Sequence, residues 1–231
     1  MIDHRSIVEL TTGAVVAGTS SFIATNIDDV VVLMVLFARP NRELRDRQII
    51  IGRYLGFGAI ILTSLLGFWG GLLLPRWAIG LLGFVPIAIG ISQLRDRSSA
   101  ETDQTDAHST VDRWIQAPAA QYPRGRRSKR WIPWFSPQAI QVAAITIACG
   151  ADNIGIYVPL FAACNWLELT IILTVFFVGV GLLCWLARRF SRQRAIAQWI
   201  SQFGHKIAPW VLIILGVWIL WESEIFHFII S

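Results

Sequence analysis

Residues Val8–Ala38 read VELTTGAVVAGTSSFIATNIDDVVVLMVLFA, an apolar stretch that carries Asn26, Asp28 and Asp29 towards its middle. A helix needs about 20 mostly apolar residues to cross the hydrocarbon layer, so this stretch is long enough to span a bilayer. Five further runs of the same kind follow, at roughly 49–74, 77–94, 138–162, 166–187 and 207–230. They are continuously apolar and lack the alternation that a membrane β-strand needs. The fold expected is therefore all-α, a membrane protein with six transmembrane helices. Composition agrees: 55% of residues are hydrophobic and 15% charged, against about 25% charged in a soluble domain. The first run is too long for a cleaved signal peptide, and only His4 and Arg5 precede it as basic groups, opposed by Asp3 and Glu9. Cys149, Cys164 and Cys184 lie in or beside the runs, and an odd number without paired spacing gives no disulfide framework.

A net charge of +5 would suggest nucleic acid in a soluble protein. Here the positions of the basic residues matter more than their total. Arg39, Arg42, Arg45 and Arg47 follow the first run, Arg95 to Arg130 the third, and Arg188 to Lys206 the fifth. The opposite side holds only Arg5 and Arg76. The positive-inside rule then puts the first, third and fifth connections in the cytoplasm and both termini outside. The stretch between the third and fourth runs is polar and then basic, and reads as a disordered linker. Its segment Arg124-Gly125-Arg126-Arg127-Ser128-Lys129-Arg130, followed by Trp131, Trp134 and Phe135, suits anionic headgroups. Three regions result: a three-helix repeat over 1–94, a basic cytoplasmic linker over 95–137, and a second three-helix repeat over 138–231.

The two halves can be laid over each other in one register. Thr25-Asn26-Ile27-Asp28-Asp29 then falls on Cys149-Gly150-Ala151-Asp152-Asn153, and Leu36-Phe37-Ala38 on Leu160-Phe161-Ala162. Three is an odd number of crossings, so the second half must enter from the opposite side. That is an inverted 3+3 repeat, the architecture of secondary transporters with a midplane site. Gly52 with Gly56, and Gly67 with Gly71, form small-xxx-small pairs that let helices approach closely. Trp77, Trp166 and Trp210 fall near helix ends, as interfacial tryptophans do.

The candidate site follows from depth. Asp28, Asp29 and Asp152 lie far from either interface, where an acidic residue costs roughly 2.5–3.5 kcal/mol on insertion scales. Such residues line a pathway or bind a partner, the other reading being that they only pair helices through hydrogen bonds, which does not by itself require tandem aspartates. Thr25 precedes Asp28 and Asp29 by one turn, and Cys149 precedes Asp152 and Asn153 by one turn, so each set is expected on one face. With Asn26, the two faces would form a cage of carboxylate, amide and hydroxyl oxygens. Cys149 is either a small apolar filler or a sulfur ligand that favours softer metals. Two adjacent carboxylates in a dry site cannot both stay ionised without a cation, so a divalent cation and protons would compete for Asp28, Asp29 and Asp152. Arg53 is read as snorkelling to the cytoplasmic interface, the other reading being a counter-charge for an aspartate. Pro86 and Pro159 can open gaps in helical hydrogen bonding. His4, His108, His205 and His227 fall in tails or connections.

At these residues the sequence resembles the cadmium-resistance transporter family, a branch of the lysine-exporter superfamily. The likeness is carried by Thr25-Asn26-Ile27-Asp28-Asp29, Arg53-Tyr54-Leu55-Gly56-Phe57, Leu82-Gly83-Phe84-Val85-Pro86-Ile87 and Gly150-Ala151-Asp152-Asn153-Ile154-Gly155-Ile156-Tyr157. The resemblance implies a multi-pass protein of the bacterial cytoplasmic (inner) membrane that exports cadmium or a similar divalent cation. Two positions depart from the family pattern, which has glutamine where this chain has Arg53 and asparagine where it has Cys149.

Four activities compete. Proton-coupled export of a divalent metal fits the three aspartates best. Export of an amino acid or other small organic solute would need a deep positive charge as well. An intramembrane aspartyl protease would resemble a family with Tyr-Asp and Gly-x-Gly-Asp motifs, whereas Asp28 follows Ile27 and Asp152 follows Ala151. A passive channel fits less well with a protonatable site in an inverted repeat. The expectation is thus a transporter and not an enzyme, with no cofactor and the metal as substrate. Its partners would be the lipid bilayer, a divalent cation and protons, with room for a homo-oligomer and none for nucleic acid.

Overall fold

Backbone N–H and C=O groups have no water to bond in hydrocarbon, so long apolar runs close their hydrogen bonds internally as helices. The computed structural model describes residues 4–38, 45–73, 75–95, 136–191 and 194–222, and no strand occurs among them. The helices are α1 (His4–Asn26), α2 (Asp29–Ala38), α3 (Asp46–Leu73), α4 (Arg76–Leu82), α5 (Phe84–Arg95), α6 (Pro137–Gly150), α7 (Ile154–Ala163), α8 (Trp166–Phe190) and α9 (Arg194–Glu222).

Two of these, α3 and α8, are long and apolar enough to cross a membrane alone, with mean hydropathies of 1.9 and 2.5. They match the second and fifth runs. The first and fourth runs are not straight helices. α1 and α2 meet at a bend of 57°, α6 and α7 at a bend of 75°, and each pair is apolar enough to count as one broken span. The described residues therefore hold two candidate spans, or four if each bent pair is one. The third run divides into α4 and α5 at Gly83, with Pro86 in the first turn of α5, where a missing N–H is tolerated. The sixth run forms the shorter apolar part of α9, Ile207–Trp221. α9 itself starts at Arg194, so Arg194 and Lys206, expected in a connection there, lie on helix, as do Arg188 and Arg189 at the end of α8. The linker, with Trp131, Trp134 and Phe135, lies outside the described residues.

The packing is reciprocal. α3 lies against α6 and α7, α8 lies against α1 and α2, and α5 lies against α9. Each long helix thus supports the bent pair of the other half. The glycine pairs explain the closeness of α3. A Cβ on Gly52 would fall 2.5 Å from the Ala139 carbonyl oxygen, and one on Gly56 would fall 2.7 Å from that of Ala143. Gly67 and Gly71 make the same backbone approach to Val158 and Ala162 of α7. Only hydrogen fits at these four positions. Outward-facing side chains are themselves apolar: Leu62, Leu66, Val178 and Ile214 are each about two-thirds exposed. Large apolar side chains exposed in such numbers make a surface that soluble monomers rarely carry and that membranes or partners cover. Hydroxyls within the helices bond back to carbonyls one turn earlier, as Ser21 does to Ala17, Ser64 to Ile60 and Thr174 to Thr170. That satisfies them without water.

Candidate functional site

Both bends occur at the aspartate motifs. The first helix ends at Asn26 and resumes at Asp29, leaving Ile27 and Asp28 between; the other ends at Gly150 and resumes at Ile154, leaving Ala151, Asp152 and Asn153. These breaks are in register with the alignment of the halves. Short turn bonds replace the helical ladder there: Val30 and Val31 N–H groups donate to the Ile27 and Asp28 carbonyls, and Ile154 and Gly155 donate to those of Ala151 and Asp152.

The breaks sort the expected site residues. Asp28 and Asp152 lie in the bends and are exposed, whereas Asn26, Asp29 and Asn153 are buried. Asp28 and Asp29 thus differ in exposure, and the helix expected to align both with Thr25 is interrupted between Asn26 and Asp29. Asp29 heads α2, where the positive end of the helix favours a carboxylate. Cys149 is half-buried within electrostatic reach of Asp29, Asp152 and Arg53, and Asp152 is within reach of Asp29. The motifs of both halves thus converge on one region. Among the described residues, no three His, Cys, Asp or Glu side chains converge as a ready set of metal ligands.

Arg53 corrects the sequence reading. It does not snorkel: only 2% of it is exposed, and its Nη2 donates to Asp29 Oδ2 at 2.5 Å and to Asn26 Oδ1 at 2.8 Å. Its guanidinium carbon sits 5.8 Å from the centre of the Phe57 ring. A buried ion pair of this kind holds because removing one partner strands the other charge, at roughly 3–5 kcal/mol. Asn26 extends the network, its Nδ2 donating to Tyr157 Oη at 2.8 Å, while Tyr157 Oη and Thr25 Oγ1 are 2.7 Å apart. A continuous polar chain therefore runs from Asp29 through Arg53, Asn26 and Tyr157 to Thr25, joining α2, α3, α1 and α7. Aromatic rings close one side of it: Phe57 meets Phe22, Tyr157 and Phe176 at centroid distances of 6.0–6.3 Å. Sequence reasoning missed Tyr157. Its signal was a hydroxyl in an apolar run, one turn beyond Asn153. For Arg53 the signal was a lone basic residue inside a span.

Outward apolar faces, bent helix pairs and polar groups gathered at the bends define a multi-pass α-helical membrane protein with a polar centre. The comparison with protein families carries this further. The chain belongs to the cadmium resistance transporter family, whose model matches residues 22–111 and 137–231 and so includes both aspartate motifs. No curated protein and no solved structure matches it.

Proposed function

We propose that this protein exports divalent metal cations, cadmium or an ion of similar chemistry, in exchange for protons. The site would be built from Asp28, Asp29 and Asp152 with Asn26, Asn153, Thr25 and Cys149. The observation that carries this reading is that both bent helices break at their aspartate motifs, in matching register. Broken helices at a membrane midplane present carbonyl and N–H groups to an ion without exposing them to lipid. On this reading each half, 1–94 and 138–231, contributes three crossings in opposite orientation, and α4 with α5 forms one of them. The reciprocal packing of α3 and α8 supports that symmetry. Rocking of the halves about the bends would open the site to each side in turn. Both termini would face outward, and the basic linker 95–137 would face the cytoplasm of a bacterium, with the protein in the inner membrane.

The chemistry of the donors is mainly hard oxygen, with one sulfur in Cys149 that would favour softer ions. The family's description supports cadmium. Proton exchange follows from the carboxylates: once the cation leaves, aspartates clustered within a membrane need protons to offset their mutual repulsion. A second reading, export of a small zwitterionic solute, is favoured by one observation. The buried Arg53 beside Asp29 supplies the deep positive charge that such a solute's carboxylate would need. Flux into proteoliposomes separates the two. Cadmium, zinc, manganese and calcium are tested with and without a pH gradient. Gradient-driven movement of a metal is expected, and movement of none of them under any gradient would remove the metal reading.

A further inference from the structure

We propose that Arg53 is a tethered cation that occupies one subsite of the transport site, and that a transported cation must displace it. The inference rests on the export reading above. A single nitrogen, Nη2, lies 2.8 Å from Asn26 Oδ1 and 2.5 Å from Asp29 Oδ2. Those two oxygens flank the first helix break, and both are donors of the kind a divalent cation uses. One cationic nitrogen between two oxygens is the arrangement of a bound ion, with the difference that this ion is attached to α3. A metal at the same pair of oxygens would sit at bonding distance from each and leave no room for the guanidinium.

The way Arg53 is held fits an exchangeable occupant better than a fixed strut. Arginine bridges carboxylates most strongly through two parallel N–H bonds. Here one nitrogen makes both bonds, and the buried Nε finds no hydrogen-bond partner. A buried N–H without a partner raises the free energy of the state that contains it. The cation-free arrangement is therefore one from which the guanidinium can be released when a stronger charge arrives. Arg53 acts as a specificity-determining residue. It requires the substrate to out-compete a monovalent cation already in place, which favours divalent over monovalent ions. When the guanidinium fills the subsite in about nine molecules of ten, apparent affinity for the metal is reduced about tenfold.

The test uses the full chain purified in detergent, as wild type, Arg53→Ala and Arg53→Lys. Cadmium binding is measured by calorimetry, and thermal melting is followed in parallel with and without millimolar guanidinium chloride. Arg53→Ala is expected to bind cadmium at least about tenfold more tightly than wild type, and Arg53→Lys to stay close to wild type. Free guanidinium should re-enter the emptied subsite of Arg53→Ala, raising its melting temperature and weakening its cadmium binding. Sodium chloride at equal concentration should do neither, and wild type should not respond. Cadmium binding that Arg53→Ala leaves unchanged or weakens would overturn this inference alone. So would an Arg53→Ala protein that guanidinium neither stabilises nor protects from cadmium. Absence of cadmium binding in every protein would overturn the export reading and this inference with it.

Discussion

Gly67→Ala tests whether α3 is held against α7 by backbone contact. A Cβ built on Gly67 falls against the Val158 carbonyl oxygen and 2.8 Å from its Cα, where ordinary contact begins at 3.4 Å. The helices must part by at least about 0.6 Å, the shortfall at that Cα, since the carbonyl oxygen lies closer still. No side-chain rotation relieves the clash, because the obstructing atoms are backbone. Four residues on, Gly71 meets Ala162 in the same way, so the whole contact shifts. Overpacking of this size costs roughly 1–3 kcal/mol, or about 5- to 150-fold in the folded-to-unfolded ratio. Gly58 is the control, since nothing lies within 4 Å of its built Cβ. Gly58→Ala removes a helix-interior glycine and should be neutral or stabilising by up to about 1 kcal/mol. Reversible unfolding in mixed detergent micelles measures both. A Gly67→Ala protein as stable as Gly58→Ala would refute the packing of α3 on α7.

Two further substitutions probe local contacts. Asn165 caps α8, accepting from the Leu167 and Glu168 N–H groups at 2.9 and 3.0 Å, while Glu168 accepts from the Asn165 N–H at 2.9 Å. Asn165→Ala should destabilise the protein by about 1 kcal/mol, read in the same unfolding assay, and leave cadmium binding unchanged. Tyr157→Phe removes the hydroxyl that joins Thr25 and Asn26 to α7. Asn26 Nδ2 keeps the Phe22 carbonyl as an acceptor at 3.0 Å and Thr25 Oγ1 keeps that of Ser21 at 2.8 Å, so stability should fall by only about 1 kcal/mol. Cadmium binding should weaken several-fold, since Asn26 loses its anchor in the second half; unchanged affinity in calorimetry would separate Tyr157 from the site.

Much of this architecture was legible because membrane solvation leaves few choices. Runs 49–74 and 166–187 became α3 and α8 with little change, since an apolar run of that length has only the helix open to it. The glycine pairs foretold the faces on which α3 meets α6 and α7. The bends at Asp28 and Asp152 were not legible. Hydropathy registers the length of an apolar run and not its direction, and short polar side chains interrupt a helix only when local turn bonds can replace the ladder. The assumption of an unbroken helix is what placed Asp28 and Asp29 on one face with Thr25. Arg53 was misread for a related reason. A basic residue one turn inside a span can snorkel in either direction, and only the position of Asp29 beyond the bend decides that it turns inward. The convergence of Asn26 with Tyr157 depends on how α1 meets α7, which no local pattern encodes.

Asp28 and Asp152 offer the most direct test of the central claim, because both lie in the bends and are exposed, so replacing them should cost the fold little. The measurement is cadmium flux into proteoliposomes under a pH gradient for wild type, Asp28→Asn and Asp152→Asn, with each protein's melting temperature recorded alongside. Gradient-driven flux is expected in wild type, with its loss in both variants and melting temperatures close to wild type. Wild-type flux retained in either folded variant would contradict the assignment of that aspartate to the transport site.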